Sequence, residues 1–350
     1  MEMKEQEIQN LLTWYDQYKR DLPWRQDQEF YHVWLSEIML QQTRVEAVKE
    51  YYTRFLKELP TIDALANVDD EKLMKLWEGL GYYSRARNLK KCAKQIQELG
   101  KIPNSYVELL KLAGIGPYTA AAIASICYQE KVPAIDGNVF RVMMRFLGSD
   151  LDITLPKTRQ YLWQELLKSM PDQAGNFNQS LMELGATVCV PNGKPLCESC
   201  PLSQSCIAKK ENRISELPRK AAKKERRIEK HTILLIVDYN EVALIKRPKK
   251  GLLASLYGFP SISGHVSKKE VLSFIEAHDL EALRILELPS KKHIFTHIEW
   301  HMIGYLIFVP NKSSAYIWTD YHHLKAEYAL PTAYLNYEKE LCETIQKYSK

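Results

Sequence analysis

The chain has 350 residues, 45% of them hydrophobic and 26% charged, with a net charge of +5; such values describe a folded protein and argue against disorder over most of its length. At this length two domains are expected, each able to bury its own core. The N-terminus, Met1 to Asn10, is polar with three glutamates, and no apolar run approaches a membrane span, so a cytoplasmic protein in a reducing compartment is expected, with no membrane partner.

Apolar residues recur at three-to-four spacing over Glu7–Arg20, Tyr31–Leu59, Asp70–Trp77, Ser84–Leu99, Tyr118–Tyr128, Asn138–Phe146, Lys157–Ser169 and Asn178–Thr187. This predicts a multi-helix domain over residues 1–212, its helices separated by short Pro, Gly, Asp and Asn breaks. Within it, Leu112-Ala113-Gly114-Ile115-Gly116-Pro117-Tyr118 sets a G-x-G turn between two helical patterns. Gly114 and Gly116 let the backbone turn tightly, and the N–H groups opening the next helix form an anion site, although such a turn also serves as a plain connection. Asp136 directly precedes a further helix, the position of an ordinary N-cap.

Cys189, Cys197, Cys200 and Cys206 follow, spaced C-x7-C-x2-C-x5-C. Thiolates this close in sequence make one ligand set, which suits an iron-sulfur cluster or a closed tetrahedral zinc site, and the ligands alone leave both open. Disulfides fit poorly, since a chain of this size needs no staples. Cys92, Cys127 and Cys342 lie far apart and read as core or surface thiols.

From Arg213 to Lys230 the chain carries eight Lys and Arg against three Glu, an excess equal to the whole net charge. The run reads as a basic linker over 213–230, solvated or in contact with phosphate; Lys223, Lys224, Arg226 and Arg227 are its candidates for phosphate contact, and protein partners can dock there. Beyond it the texture changes. His231–Tyr239 and Glu241–Lys246 read as paired strands across an Asn-Glu turn, Met302–Val309 as another strand, and Lys268–His278 and Tyr334–Tyr348 as helices. A small α+β domain over 231–350 is therefore expected, with no internal repeat.

The G-x-G turn followed by Asp136 resembles the helix-hairpin-helix and Gly/Pro-Asp motif of the base-excision DNA glycosylase superfamily. The four cysteines come in the order of its endonuclease III and MutY branches, which implies a [4Fe-4S] cluster. That family has six residues between the first two ligands, whereas seven stand here, so Cys189 departs from the pattern. Trp34-Leu35-Ser36-Glu37-Ile38-Met39-Leu40-Gln41-Gln42-Thr43 resembles the MutY-type adenine DNA glycosylases, whose hallmark is a glutamate at this point. Tyr118 occupies the hairpin position where bifunctional glycosylase-lyases carry a lysine, and a phenol cannot form a Schiff base. Asp21-Leu22-Pro23-Trp24-Arg25, the stretch from Trp77 to Asn88 and that from Phe177 to Ala186 match the same family.

The resemblance implies a helix-hairpin-helix DNA glycosylase that removes adenine opposite 8-oxoguanine or guanine in double-stranded DNA, acting as a monomer, nucleoid-associated if bacterial. Cleaving an N-glycosidic bond calls for a proton on the departing base and stabilisation of an oxocarbenium-like sugar, work for two carboxyl groups. Glu37 is the expected general acid, with a raised pKa from its apolar helix, and Asp136 the second carboxylate. Tyr118 and Asn138 are expected to position these groups and the attacking water. By resemblance, Gln42 and Tyr82 insert into the DNA stack; Arg20, Trp24, Arg25, Leu40 and Gln179 line the adenine pocket; Thr43, Gly114 and Gly116 contact DNA; and the cysteine loop presents Lys194. Base flipping follows, because the bond cannot be reached inside a duplex.

The second domain resembles the Nudix-like domain of the same family through Gly251-Leu252-Leu253-Ala254-Ser255-Leu256-Tyr257-Gly258-Phe259-Pro260, with Tyr257 and Gly258 replacing Trp and Glu. Lys268–His278 lacks the clustered arginine and glutamates of metal-holding Nudix enzymes, which implies recognition without phosphohydrolysis. Phe295-Thr296-His297 is similar to the family's Phe-Ser-His loop that senses 8-oxoguanine. His293, His297 and His301 recur at four-residue spacing, but on loop and strand this does not gather side chains. The rival readings are an endonuclease III-like glycosylase-lyase acting on oxidised pyrimidines and a non-catalytic DNA-binding module.

Overall fold

The computed structural model describes residues 3–221 and 225–348; Lys223 and Lys224 of the basic run lie outside them. The chain forms two compact units. One takes the described residues up to Val68 and from Arg87 to 221; the other takes Asp69–Ala86 with those from 225 onward. A short stretch of the predicted helical domain is thus built into the β-rich unit.

The first unit is helical. Its core gathers Leu11, Val139, Met143, Phe146, Leu162, Phe177, Leu181 and Leu184 from the helices Glu5–Tyr18, Gly137–Phe146, Pro156–Lys168 and Ala174–Thr187. Pro117 and Pro156 open their helices at the first position, where a missing N–H costs nothing. The single helix expected over Tyr31–Leu59 is instead two, Phe30–Leu40 and Val45–Glu58. Gln42 breaks them with φ 59°, in the left-handed region. Both helices bury an apolar face, so the periodicity runs on across a break that one backbone rotation makes.

The hairpin Leu112–Tyr118 turns at Gly114, with φ 75°. A Cβ there would stand 2.5 Å from Asn88 Cβ, so both the rotation and the close approach demand glycine. Asp136 caps the Gly137–Phe146 helix, its Oδ1 accepting the Val139 N–H at 2.7 Å.

The second unit is a seven-stranded mixed sheet: β1 (Arg227–Asp238), β2 (Glu241–Lys246), β3 (Tyr257–Gly258), β4 (Ser261–Ser263), β5 (Arg284–Ile294), β6 (Ile298–Phe308) and β7 (Ile317–Asp320). The order is β3-β2-β1-β6-β5, with β4 on β1 and β7 on β2; β1 and β6 run parallel. The hairpin expected across an Asn-Glu turn is present, but its two turn residues are Tyr239 and Asn240, with Asp238 opposite Glu241. β1 begins at Arg227, inside the segment read as linker, and β5 lies where no strand was expected. From Ile233 to Val237 β1 is apolar without alternation because both its faces are covered there. Ile233, Leu235 and Val237 pack with Tyr334, Tyr337 and Leu341 on one side, and Leu234 and Ile236 with Val271 and Ile275 on the other. Among the described residues, no helix is long and apolar enough to cross a membrane.

Candidate active site

Nine of the eleven residues of the Phe30–Leu40 helix are buried, and Glu37, at 8% exposure, is one of them. An exposed glutamate on an amphipathic helix is thereby excluded. Burial, with a smaller push from the Asp136 charge, raises Glu37 to about 7, against the Tyr118 hydrogen bond and the Arg25 charge, which pull it down. The Tyr118 hydroxyl donates to Glu37 Oε2 at 2.6 Å. With that oxygen accepting, Oε1 is the one left to carry a transferable proton.

Both Asp136 oxygens are held. Oδ1 takes the Val139 N–H and Oδ2 takes Asn138 Nδ2 at 2.7 Å. The cap and the candidate catalytic carboxylate are therefore the same group. Burial raises its pKa, opposed by these hydrogen bonds and by the Arg141 charge. Asn138 is in turn fixed by Arg141, whose Nη2 donates to Asn138 Oδ1 at 2.8 Å and to the Gly185 carbonyl at 2.7 Å. Gly185 permits this closeness, since a Cβ there would lie 2.5 Å from Asn138 Cβ.

Glu37, Tyr118, Asp136 and Asn138 open onto one cavity of about 670 Å³, whose walls also include Arg20, Trp24, Arg25, Leu40, Gln42, Thr43 and Gln179. Eleven of the residues singled out from sequence thus converge, although they span Arg20 to Gln179. Gly114 and Gly116 shape the adjoining hairpin without lining the cavity. Lys19 reaches the cavity wall and pairs with Asp16 at 3.3 Å.

Cys189, Cys197, Cys200 and Cys206 line a common small cavity with Val188 and Pro195. The seven-residue loop between the first two closes on itself: the Leu196 N–H donates to the Val188 carbonyl at 3.0 Å, and Gly193 turns with φ 77°. The additional residue is absorbed there, and Cys189 keeps its place beside the others. Arg141 Nε donates to the Cys189 carbonyl at 2.7 Å, and Arg145 Nη1 lies 3.3 Å from its sulfur. Lys194 lines a neighbouring cavity with Arg145 and Lys209.

In the second unit, Phe295, Thr296 and His297 form the turn from β5 to β6. Phe295 packs edge-on against Trp300 at 5.0 Å, while Thr296 and His297 are exposed. The Tyr82 hydroxyl lies 2.7 Å from Thr296 Oγ1. His293 faces Trp300 across the β5–β6 ladder, and His301 Nε2 meets Glu299 at 2.7 Å.

Residues 35–168 match the HhH-GPD superfamily base excision DNA repair protein family, and residues 232–338 match the NUDIX domain. Adenine DNA glycosylase of Rattus norvegicus is 36% identical over 83% of this chain and 68% of its own length. That of Buchnera aphidicola subsp. Schizaphis graminum is 35% identical over 85% of this chain and 86% of its own. The chain belongs to the adenine DNA glycosylase family. A thermostable thymine-DNA glycosylase structure superposes with a TM-score of 0.53 at 27% identity, covering 58% of this chain and 95% of that one. An endonuclease III structure, at 0.51 and 22%, covers 60% and 98% and shares the helical fold.

For a member of this family, the residues that sequence reading passed over are those that hold the site together. Glu183, with its carboxylate fully buried, takes Arg20 Nε at 2.6 Å and Arg25 Nη2 at 2.8 Å. Burial alone would raise its pKa, but the two guanidinium groups outweigh this and hold it below the ordinary value. Asn178 accepts the Ala134 N–H and donates to Ser125 Oγ and the Val132 carbonyl, fixing the segment that delivers Asp136. One signal was available: Gln179 and Glu183 stand four apart on one helix and share its inner face.

Proposed function

We propose that the protein removes adenine paired with 8-oxoguanine, and also with guanine, from double-stranded DNA by hydrolysing the N-glycosidic bond without cutting the strand. One observation carries this reading: a buried glutamate, raised to about 7 and fixed by Tyr118, shares a cavity with a second, separately anchored carboxylate. Near neutral pH Glu37 is poised to hold a proton on Oε1 and pass it to adenine N7 as the bond breaks. Asp136, kept oriented by Val139 and Asn138, faces the sugar as positive charge develops there, stabilising or briefly capturing it before water completes the reaction. Glu183 anchors Arg20 and Arg25 in the cavity wall, and Gln179 can offer paired donor and acceptor groups to an adenine edge. A Schiff-base lyase is disfavoured because Tyr118 stands where its lysine would be.

The cysteine set fits a [4Fe-4S] cluster. Among the described residues, no three of these sulfurs fall within 4.8 Å of one another. A tetrahedral zinc site, with Zn–S near 2.3 Å, would draw them to about 3.8 Å apart. Bound there, a cluster would tie the 189–206 loop to itself, holding its two ends and its middle together through the four thiolates. Analysis of the purified protein should find about four irons per chain with matching sulfide; stoichiometric zinc instead would refute the assignment.

Tyr82 with Thr296 and His297 supports 8-oxoguanine as the opposing base. Single-turnover assays on A:8-oxoguanine, A:G and A:C duplexes, with and without alkali, test the whole reading. Adenine release with strand breaks only after alkali, fastest opposite 8-oxoguanine, is expected. Breaks before alkali would favour a lyase, and duplex binding without any release a non-catalytic module.

A further inference from the structure

We infer that a second cavity beside the catalytic one seats the sugar-phosphate next to the extruded nucleotide, with Arg159 as its phosphate ligand. The inference rests on the glycosylase reading above. The cavity measures about 210 Å³ and is walled by Tyr106, Trp163, Pro117, Pro133 and Pro156. It adjoins the catalytic cavity, since Tyr118, Ile135 and Arg159 line both. The strand whose adenine is inserted beside Glu37 would then run past this neighbouring opening. Its volume is below the roughly 300 Å³ at which pockets for whole small molecules begin, so it suits a fragment of a chain.

Arg159 supplies the polar end. Its Nη1 donates to the Ile135 carbonyl at 2.8 Å, one residue before Asp136, and its guanidinium lies 4.9 Å over the Phe140 ring. Among the described residues no carboxylate pairs with it, so its remaining donors are available to a ligand. A cation near Asp136 opposes the positive sugar that the reaction generates, and so cannot be explained by stabilisation of that sugar. It is explained by an anion that arrives with the substrate. A phosphodiester meets that requirement, and guanidinium donors match its oxygens. The tilted Tyr106 and Trp163 rings, 5.3 Å apart, pack on each other and form a fixed apolar wall for the attached deoxyribose.

The test uses the full chain and a duplex in which a non-hydrolysable 2′-fluoroadenosine faces 8-oxoguanine. Arg159→Gln should bind about tenfold more weakly, the loss expected of one charge-assisted contact, with a salt-dependence slope shallower by about one. Arg159→Lys should keep the slope, and thermal melts identify any variant that fails to fold. Neutralising single phosphates beside the adenine as methylphosphonates should weaken the wild type at one position and leave Arg159→Gln unaffected there. Wild-type affinity and slope in Arg159→Gln, or equal methylphosphonate losses in both proteins, would overturn the inference. So would displacement of free adenine from this cavity with no phosphate effect. Failure of the wild type to release adenine would instead sink the glycosylase reading, while the affinity comparison still judged Arg159.

Discussion

The Tyr82 hydroxyl and the Thr296 hydroxyl meet at 2.7 Å, joining residues 214 apart in sequence. Tyr82 adopts φ 46°, directly after Gly81, which with Gly79 also has positive φ. A bulky residue there carries roughly 1–2 kcal/mol of strain and is held by its surroundings, here by Arg85, whose guanidinium lies 5.5 Å from the ring. Glu71 anchors the same segment within its unit, taking the Tyr257 hydroxyl at 2.7 Å and Lys246 at 2.7 Å. The exposed ring and the Thr296 hydroxyl thus form one surface, the one proposed to read the opposing base. Thr296→Val should lower the preference for A:8-oxoguanine over A:G in single-turnover assays by about 2- to 10-fold, the worth of one hydrogen bond. Thr296→Ser should retain it; equal preference in all three proteins would detach Thr296 from recognition.

The rate should peak between two limbs. Glu37 must be protonated to act, so activity falls as pH rises through about 7; Asp136 must be ionised, so activity also falls in acid as it takes up a proton. The Tyr118 hydrogen bond lowers the Glu37 pKa. Tyr118→Phe should therefore move the alkaline limb upward while reducing the rate below it. An alkaline limb that stayed in place would show that Glu37 does not set it.

Stability should carry the same signature. Burial raises the Glu37 pKa from the ordinary 4.5 to about 7 in the folded protein, so its favourable protonated burial is complete below pH 4.5 and is lost as pH rises through 7. The difference is on the order of 3 kcal/mol. Glu37→Gln, neutral at every pH, should melt close to wild type at pH 5 and above it at pH 8, while adenine release is abolished. Parallel melting curves of the two proteins across that range would contradict the burial argument.

How far sequence reading reached follows from what each feature depends on. Glu37, Tyr118, Asp136 and the cysteines lie in continuous motifs, and every residue of each motif was visible at once. Gln42 was visible as a residue but its backbone was not, because one left-handed rotation leaves helical periodicity intact. β5 escaped because Pro289 and a register shift between Leu288 and Lys291 interrupt its alternation. Arg141 escaped for another reason: it links Asp136, through Asn138, to the Cys189 carbonyl across 48 residues, and no local pattern encodes a bridge of that span. Gly258, where the family has glutamate, became intelligible only with Tyr334 in view, since a Cβ there would stand 2.8 Å from its ring.

Glu183 offers the sharpest separation of architecture from chemistry. Its carboxylate is fully buried between Arg20, whose side chain is 35% exposed, and Arg25, at 16%. Glu183→Ala removes the acceptor and leaves two cations partly buried, one of which also donates to the Arg20 carbonyl at 3.2 Å. Breaking such a pair costs about 3–5 kcal/mol, and the lower end applies because water reaches Arg20. For a chain of this size that corresponds to a fall of roughly 6–10 °C in the first thermal transition. Glu183→Gln keeps one acceptor oxygen and the volume, and should fall by less. Both variants should also bind the 2′-fluoroadenosine duplex more weakly, since Arg20 and Arg25 lose the geometry that aims them into the cavity. If Glu183→Ala melted with the wild type and bound equally well, the two arginines would be held by something other than this carboxylate.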